Sequence, residues 1–332
     1  MKNKILALFA SLSMSGFVFG DIQIGENVTI KGFIDASYQN TNSDAGSDNT
    51  DVSLDEVEID FLFNSGPVSA RIDLDTNPDA RSADDGHGIE QAHFTYTTDG
   101  GLSVTVGRMG TMLGFEREDP AGLYTYSRAY GHSSNLDRFN LGNIDGQNAS
   151  NSNRNDGVRF GYATDAFAIN LSVDQDSDQN LDVADSRLNY ELHVGYTGVE
   201  NLNVGVGYRN DRSGASAQDV DIINVNAAYT AGKALIAGEY TTWNPEAATK
   251  ETLDAFMILL DYDFSDKFGG AVRYSTEDYE TLGVKTEQTK WTIAPNYQIT
   301  DNLGTIVEFS SINPDGGNND STQFAVELTY TF

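Results

Sequence analysis

The sequence predicts an all-β fold: a transmembrane antiparallel β-barrel of sixteen strands, with short periplasmic turns and long extracellular loops. Three observations predict it. Segments with an apolar residue at every second position recur from Val28 to the C terminus, and the connections between them alternate short and long. The chain also ends in FAVELTYTF, where Phe324, Val326, Leu328, Tyr330 and Phe332 share one face. A ring on the last residue has little use in a soluble domain, whose terminal strands fray. A strand closing a barrel in lipid must be apolar at alternate positions and held at its end.

The first segment, MKNKILALFASLSMSGFVFG, joins Lys2 and Lys4 to an apolar run and ends with Val18 and Gly20 before the expected cut. Residues 1–20 therefore read as a secretory signal peptide, which leaves 21–332 as the barrel. Cleavage removes two lysines and no acid, so the formal charge of -30 becomes -32. Nucleic acid is excluded as a partner, because binding it needs a basic footprint. The chain has no cysteine, hence no lipoprotein attachment site and no disulfide framework. Its longest apolar stretch in the mature part, Phe256 to Leu260, stops at Asp261, far short of a helical span of ~20 residues.

The strands follow in order. The first eight are Val28 to Gln39, Val52 to Asn64, Val68 to Asp75, Ile89 to Thr97, Leu102 to Met109, Asp156 to Ala163, Ala166 to Asp174 and Arg187 to Thr197. The second eight are Asn201 to Asn210, Val220 to Tyr229, Lys233 to Trp243, Leu253 to Phe264, Lys267 to Ser275, Thr286 to Tyr297, Leu303 to Ser311 and Thr322 to Phe332. After every even-numbered strand up to the fourteenth the chain turns tightly, through NSGP, TDGG, TD, GVE, TAG, SD and ITD. The odd-numbered strands mostly end in longer polar links such as TNPDARSADDGHG and QDSDQNLDVADS. A soluble sandwich has no reason to gather its short turns at one end, whereas a membrane barrel does.

One face of these strands is apolar, as in Val68, Ala70, Ile72 and Leu74, or Phe167, Ile169, Leu171 and Val173. Tyrosine and phenylalanine recur near strand ends, as expected of interfacial girdles. The opposite face carries Lys31, Asp35, Glu58, Asp60, Arg71, Asp73, Asp75, Arg159, Asp174, Arg187, Glu191, His193, Arg209, Glu239, Asp261, Arg273, Lys290, Glu308 and Glu327. Dry burial of so many charges would cost several kcal/mol each, so a water-filled interior is expected.

The connection after the fifth strand, residues 110–155, is too long to be a plain link. Folded into the lumen, this third long loop would narrow the channel and set its selectivity. Alternatively Leu123 to Tyr130, with Tyr124, Tyr126 and Tyr130 alternating, joins the wall in an extra hairpin and makes eighteen strands.

The stretches VTIKGFIDASY, IEQAHFTY, LSVTVGRMGTMLGFE, YTYSRAY and DGVRFGYAT, with the aromatic last strand, resemble the Gram-negative outer-membrane porins, and among them the OmpL-like β-barrel group. The resemblance implies a passive diffusion channel that the outer-membrane insertion machinery assembles by reading the last strand, with Tyr330 and Phe332 as the signal. It also implies an inward-folded third loop. That would place some of Glu116, Arg117, Glu118, Asp119 and Arg128 at the constriction, facing Lys31, Arg71 and Arg159, in a lumen also lined by Asp35, Glu58, Asp60, Asp73, Arg187, Glu191, Arg209, Arg273 and Glu308.

The inward list holds seven bases and eleven acids, so a mild cation preference is expected. DQDSDQNLDVAD sets Asp174, Asp176 and Asp178 at the first positions of a calcium-loop spacing, but Gln179 stands where glycine belongs and no helices flank the loop. Weak Ca²⁺ binding in 174–185 is one reading and a solvated acidic loop the other; no other cofactor is expected. No CxxC, HExxH or P-loop occurs, and His132 beside Ser133 is a chance neighbour, so no enzyme is expected. The functional expectation is a pore for small hydrophilic solutes and ions in the outer membrane of a Gram-negative bacterium, in contact with lipid and lipopolysaccharide and open to homotrimer formation. The alternative is a barrel plugged by its third loop and serving as a surface adhesin or structural protein.

Overall fold

The computed structural model describes residues 21–44, 46, 48–76, 88–116, 120–130, 154–176, 188–212, 219–246, 252–314 and 320–332. The signal-peptide segment lies outside them. A short strand β1 (Ile22–Ile24) precedes β2 (Val28–Ser43), β3 (Asn49–Ser65), β4 (Val68–Thr76), β5 (Gly88–Thr97) and β6 (Leu102–Gly110). Then follow β7 (Arg154–Ala163), β8 (Phe167–Asp176), β9 (Asn189–Tyr196), β10 (Leu202–Asp211), β11 (Val220–Ala231) and β12 (Ala234–Pro245). The chain finishes with β13 (Thr252–Asp263), β14 (Phe268–Thr281), β15 (Val284–Thr300), β16 (Leu303–Pro314) and β17 (Ser321–Thr331).

From β2 onward each strand pairs antiparallel with the next, and β17 pairs back onto β2 from Thr331↔Phe33 to Ser321↔Ser43. Sixteen strands thus form a closed barrel, which removes every sheet edge, and β1 adds a short hairpin onto β2. Leu123 to Tyr130 forms no strand, so the eighteen-strand alternative is wrong. This segment runs on from a single 3₁₀ turn, Pro120–Gly122, and its alternating tyrosines pack inside the barrel rather than in its wall. The expected link between the thirteenth and fourteenth strands also shortens: β14 and β15 continue to a two-residue turn at Leu282 and Gly283.

The face assignment follows the period-2 pattern. Val68, Ile72, Phe167, Ile169, Leu171, Tyr190, Leu192, Ile223 and Val225 are exposed on the outside, and every described member of the charged inward list is buried or half-buried. Aromatic pairs mark the two rims, with Phe309 and Phe324 at 4.9 Å near one end and Phe264 and Phe268 at 5.3 Å near the other. Such rings bridge lipid and water at both interfaces.

The seam is finished by the last residue. Phe332 exchanges both backbone hydrogen bonds with Gly32, at 2.9 and 3.0 Å. Its ring lies over Gly32, where an added Cβ would come within 2.6 Å of the ring and 2.4 Å of the Glu58 carbonyl oxygen. Gly32→Ala is therefore expected to destabilise the barrel by about 1–3 kcal/mol through overpacking at its closure. A lowered temperature for loss of the compact, heat-modifiable band checks this, and an unchanged temperature refutes it.

The interior differs from the water-filled one expected. Ile222, Leu235, Trp243, Leu253, Met257 and Leu259 on β11 to β13 point inward and form one buried apolar cluster with Leu113, Tyr124 and Tyr130 of the third long connection. These strands carry large apolar side chains on both faces, since Ile223, Val225, Ile236, Phe256, Ile258 and Leu260 are exposed outside, while Asn224, Glu239, Thr241 and Asp261 interrupt the inner face. The lumen holds a dry core on this side because the loop covers it.

Candidate pore constriction

The third long connection, loop 3, enters the lumen at Gly110, whose carbonyl accepts the Arg159 Nη2–H at 2.6 Å. Its next residues are tied to β9, where Glu191 accepts the Thr111 hydroxyl at 2.6 Å and the Met112 N–H at 2.8 Å. Leu113 then seats on β10 against Gly207, where a Cβ would come within 2.0 Å of the leucine side chain. Only glycine leaves room for this knob. The Phe115 N–H donates to Glu239 on β12, and the Phe115 ring stacks on Tyr124 at 6.3 Å.

A second group of anchors lies on β14 to β16. The Arg273 guanidinium, fully buried, pairs with Glu116 and donates to Thr125 Oγ1 at 2.7 Å and to the Ser127 carbonyl at 2.6 Å. The Lys290 ammonium reaches Ser127 Oγ at 2.5 Å and the Arg128 carbonyl at 2.9 Å. Glu308 accepts the Ser127 N–H at 3.0 Å. Tyr126 extends to Ser37 on β2, with its hydroxyl 3.1 Å from the serine oxygen. Burial pushes the pKa of the Tyr126 and Tyr130 hydroxyls above the ordinary tyrosine value, so both stay neutral.

The residues expected at the constriction thus separate into two groups. Glu116 and Arg128 are buried in the loop–wall contact, where Arg128 donates to the Glu116 carbonyl at 2.5 Å. Glu191, Arg209, Arg273 and Glu308, expected to line the water path, are buried as anchors or as their supports. Arg209 pairs with Asp174 at 2.7 Å and Glu191 at 3.4 Å. Asp174, the first residue of the calcium-like spacing, has its oxygens taken by Arg209 and Asn189. Arg117, Glu118, Asp119, Asp178 and Arg187 lie outside the described residues, and Asp176 closes β8.

The wall formed by β2 to β5 presents the second group. Arg71 pairs with Asp73 at 2.6 Å, Asp60 at 3.2 Å and Glu58 at 3.8 Å, and Lys31 with Asp21 at 3.3 Å. Three acids there escaped the sequence reading. A bulge at Asp35/Ala36 turns both Asp55 and Glu56 inward, and a second at Asp73/Leu74 turns Glu90 inward beside Gln91. Glu58, Asp73 and Glu90 bring their carboxylates within 4.8 Å of one another. Asp55, Glu56, Asp60, Asp75 and Glu90 are half-buried, and Asp35, Glu58 and Asp73 are buried behind them. Among the described residues, those of loop 3 from Thr111 onward touch β2 and β9 to β17.

A closed sixteen-strand barrel with an apolar belt and an inward loop is the architecture of a membrane channel, and the sequence decides which kind. The family of Gram-negative porins matches residues 5–332. The chain belongs to that family. The porin is therefore an outer-membrane channel for solute diffusion, from a family of non-enzymatic channels. The match is silent on the OmpL-like group. No curated protein matches the porin in sequence. Among solved structures, the anion-selective porin of Comamonas acidovorans is similar with a TM-score of 0.69 at 14% identity, over 92% of this chain and 99% of that one. Salmonella typhi OmpF, solved with daunomycin, is similar with a TM-score of 0.69 at 14% identity, over 94% and 100%. The trimer form of Vibrio cholerae OmpT is similar with a TM-score of 0.61 at 13% identity, over 92% and 100%. At such identities these likenesses establish the porin's fold alone.

Proposed function

We propose that the porin passes small hydrophilic solutes and ions with a mild preference for cations, through an eccentric path between loop 3 and the β3 to β5 wall. The observation that carries this reading is the charge on that wall. Asp55, Glu56, Asp60, Asp75 and Glu90, backed by Asp35, Glu58 and Asp73, outnumber Lys31 and Arg71 on the same wall. A passage lined by an excess of one sign concentrates the opposite ion and raises its entry rate. Diameter is set by the loop, and bias by the wall.

Three further elements belong to the reading. The outward Tyr330 and Phe332, with ring centroids 6.3 Å apart at the closed seam, would serve as the signal read by the insertion machinery. The exposed apolar belt would contact lipid and lipopolysaccharide. The homotrimer is the assembly we favour, in keeping with the trimer form of the Vibrio cholerae protein of like fold.

Single-channel current through the refolded mature protein under a KCl gradient tests the function. Steady conductance with a reversal potential directed by K⁺ is expected. A zero or chloride-directed potential overturns the cation preference, and silence from a folded barrel favours the plugged alternative.

A further inference from the structure

We infer that the periplasmic mouth of the lumen holds a binding site for a small organic cation, a primary ammonium ion with a short apolar body. A small recess opens there between loop 3 and β13 to β16. Its floor is Asp261, which is 94% buried by its 6% exposure, and whose Oδ1 has no hydrogen-bond partner among the described residues, Lys267 of the adjoining turn included. Asp261 pairs in register with Leu235 on one side and Ala271 on the other, so it stands at the edge of the apolar cluster. A buried carboxylate in such a place is costly unless a cation meets it.

The rest of the recess says which cation. Asp263 and Asn296 turn side-chain oxygens toward the space above Gly269, where a Cβ would lie 3.2 and 3.0 Å from them. Leu123, Tyr124 and Ile306 supply an apolar roof and wall. Among the described residues, the carboxylates that converge within 4.8 Å are Glu58, Asp73 and Glu90, on the far wall. The acids of this recess are too spread to close around a metal ion, which demands several oxygens at about 2.0–2.6 Å. They suit an ammonium group held by Asp261, with acceptors at Asp263 and Asn296 and hydrocarbon against Leu123 and Ile306.

The inference rests on the lumen being a solute path, yet its test needs no current. Butylammonium chloride is titrated calorimetrically into the full mature barrel folded in detergent, with neutral butyramide and KCl as comparisons. Saturable binding of butylammonium alone is expected, weakened at least tenfold in Asp261→Asn and retained in Asp99→Asn, which removes an exposed acid from another periplasmic turn. Gly269→Ala, which crowds the Asp263 and Asn296 oxygens, is expected to weaken it as well, and covers the case in which Asp261→Asn does not fold. Absence of binding, or equal binding in all three variants, overturns the site. A barrel that binds but does not conduct would instead refute the channel reading and leave the site standing.

Discussion

Replacing Arg273 by alanine is expected to destabilise the folded barrel by about 3–5 kcal/mol, the penalty for leaving one partner of a buried ion pair without the other. Arg273 is fully buried and joins three separate points of loop 3: the Glu116 carboxylate, Thr125 and the Ser127 carbonyl. Its loss strands Glu116, which still accepts the Ala129 N–H at 2.7 Å but has no charged partner in that pair. Denaturant unfolding in lipid vesicles reads the stability, and single-channel recording should show new current noise as the loop loosens. Unchanged stability together with a quiet channel would mean that loop 3 is held by its apolar face alone. Arg273→Lys, which keeps the charge but loses the fork of donors, should recover only part of both.

Excision of Met112 to Ala129 is expected to have a larger effect still. Cutting out a constriction loop would ordinarily promise a wider pore. Here the loop covers Ile222, Leu235, Leu253, Met257 and Leu259, and at roughly 1.5–3 kcal/mol for each large apolar side chain exposed to water, the loss is on the order of 10 kcal/mol. The expected result is failure to recover the heat-modifiable folded form. A folded, highly conducting barrel would show instead that the inner apolar wall can stand wet. Leu113→Ala samples the same contact more gently, with an expected cost of about 2–5 kcal/mol.

How much of this was legible in the sequence differs from strand to strand. Strand number, turn asymmetry and facing follow from period-2 alternation, since lipid on one side and water or charge on the other leave the pattern little freedom. The bulges were also written there. In VSLDEVEIDFLF the outward residues run Val52, Leu54, then Val57, Ile59, Phe61, Phe63, and the step of three between Leu54 and Val57 is the extra residue that turns Asp55 and Glu56 inward. The same step separates Ile89 from Ala92 and frees Glu90. A strand list built on average alternation passes over both.

The inner apolar wall was harder to read. LDAFMILLDYD alternates nothing over its middle, and periodicity alone cannot tell whether the second apolar face meets lipid, a loop or a neighbouring chain. Nor does a sequence show that Arg273, Lys290 and Glu308 spend their charges on loop 3 rather than on water. Those assignments depend on contacts across 146 to 181 residues of chain, such as Arg273 to Ser127 and Ser127 to Glu308.

The two-sided apolarity of β11 to β13 also bears on how the polypeptide reaches its membrane. Before insertion an ordinary barrel strand can turn its polar side to the aqueous periplasm and hide the other. From Val220 to Asp263 the inner face is largely apolar too, broken by Asn224, Glu239, Thr241 and Asp261, so little of it can be wetted until lipid covers one face and loop 3 the other. It combines β-forming, apolar and weakly charged windows, the composition that self-associates when exposed. This part of the wall is therefore where a transit chaperone has most to shield, and where delay in loop entry would turn assembly into aggregation.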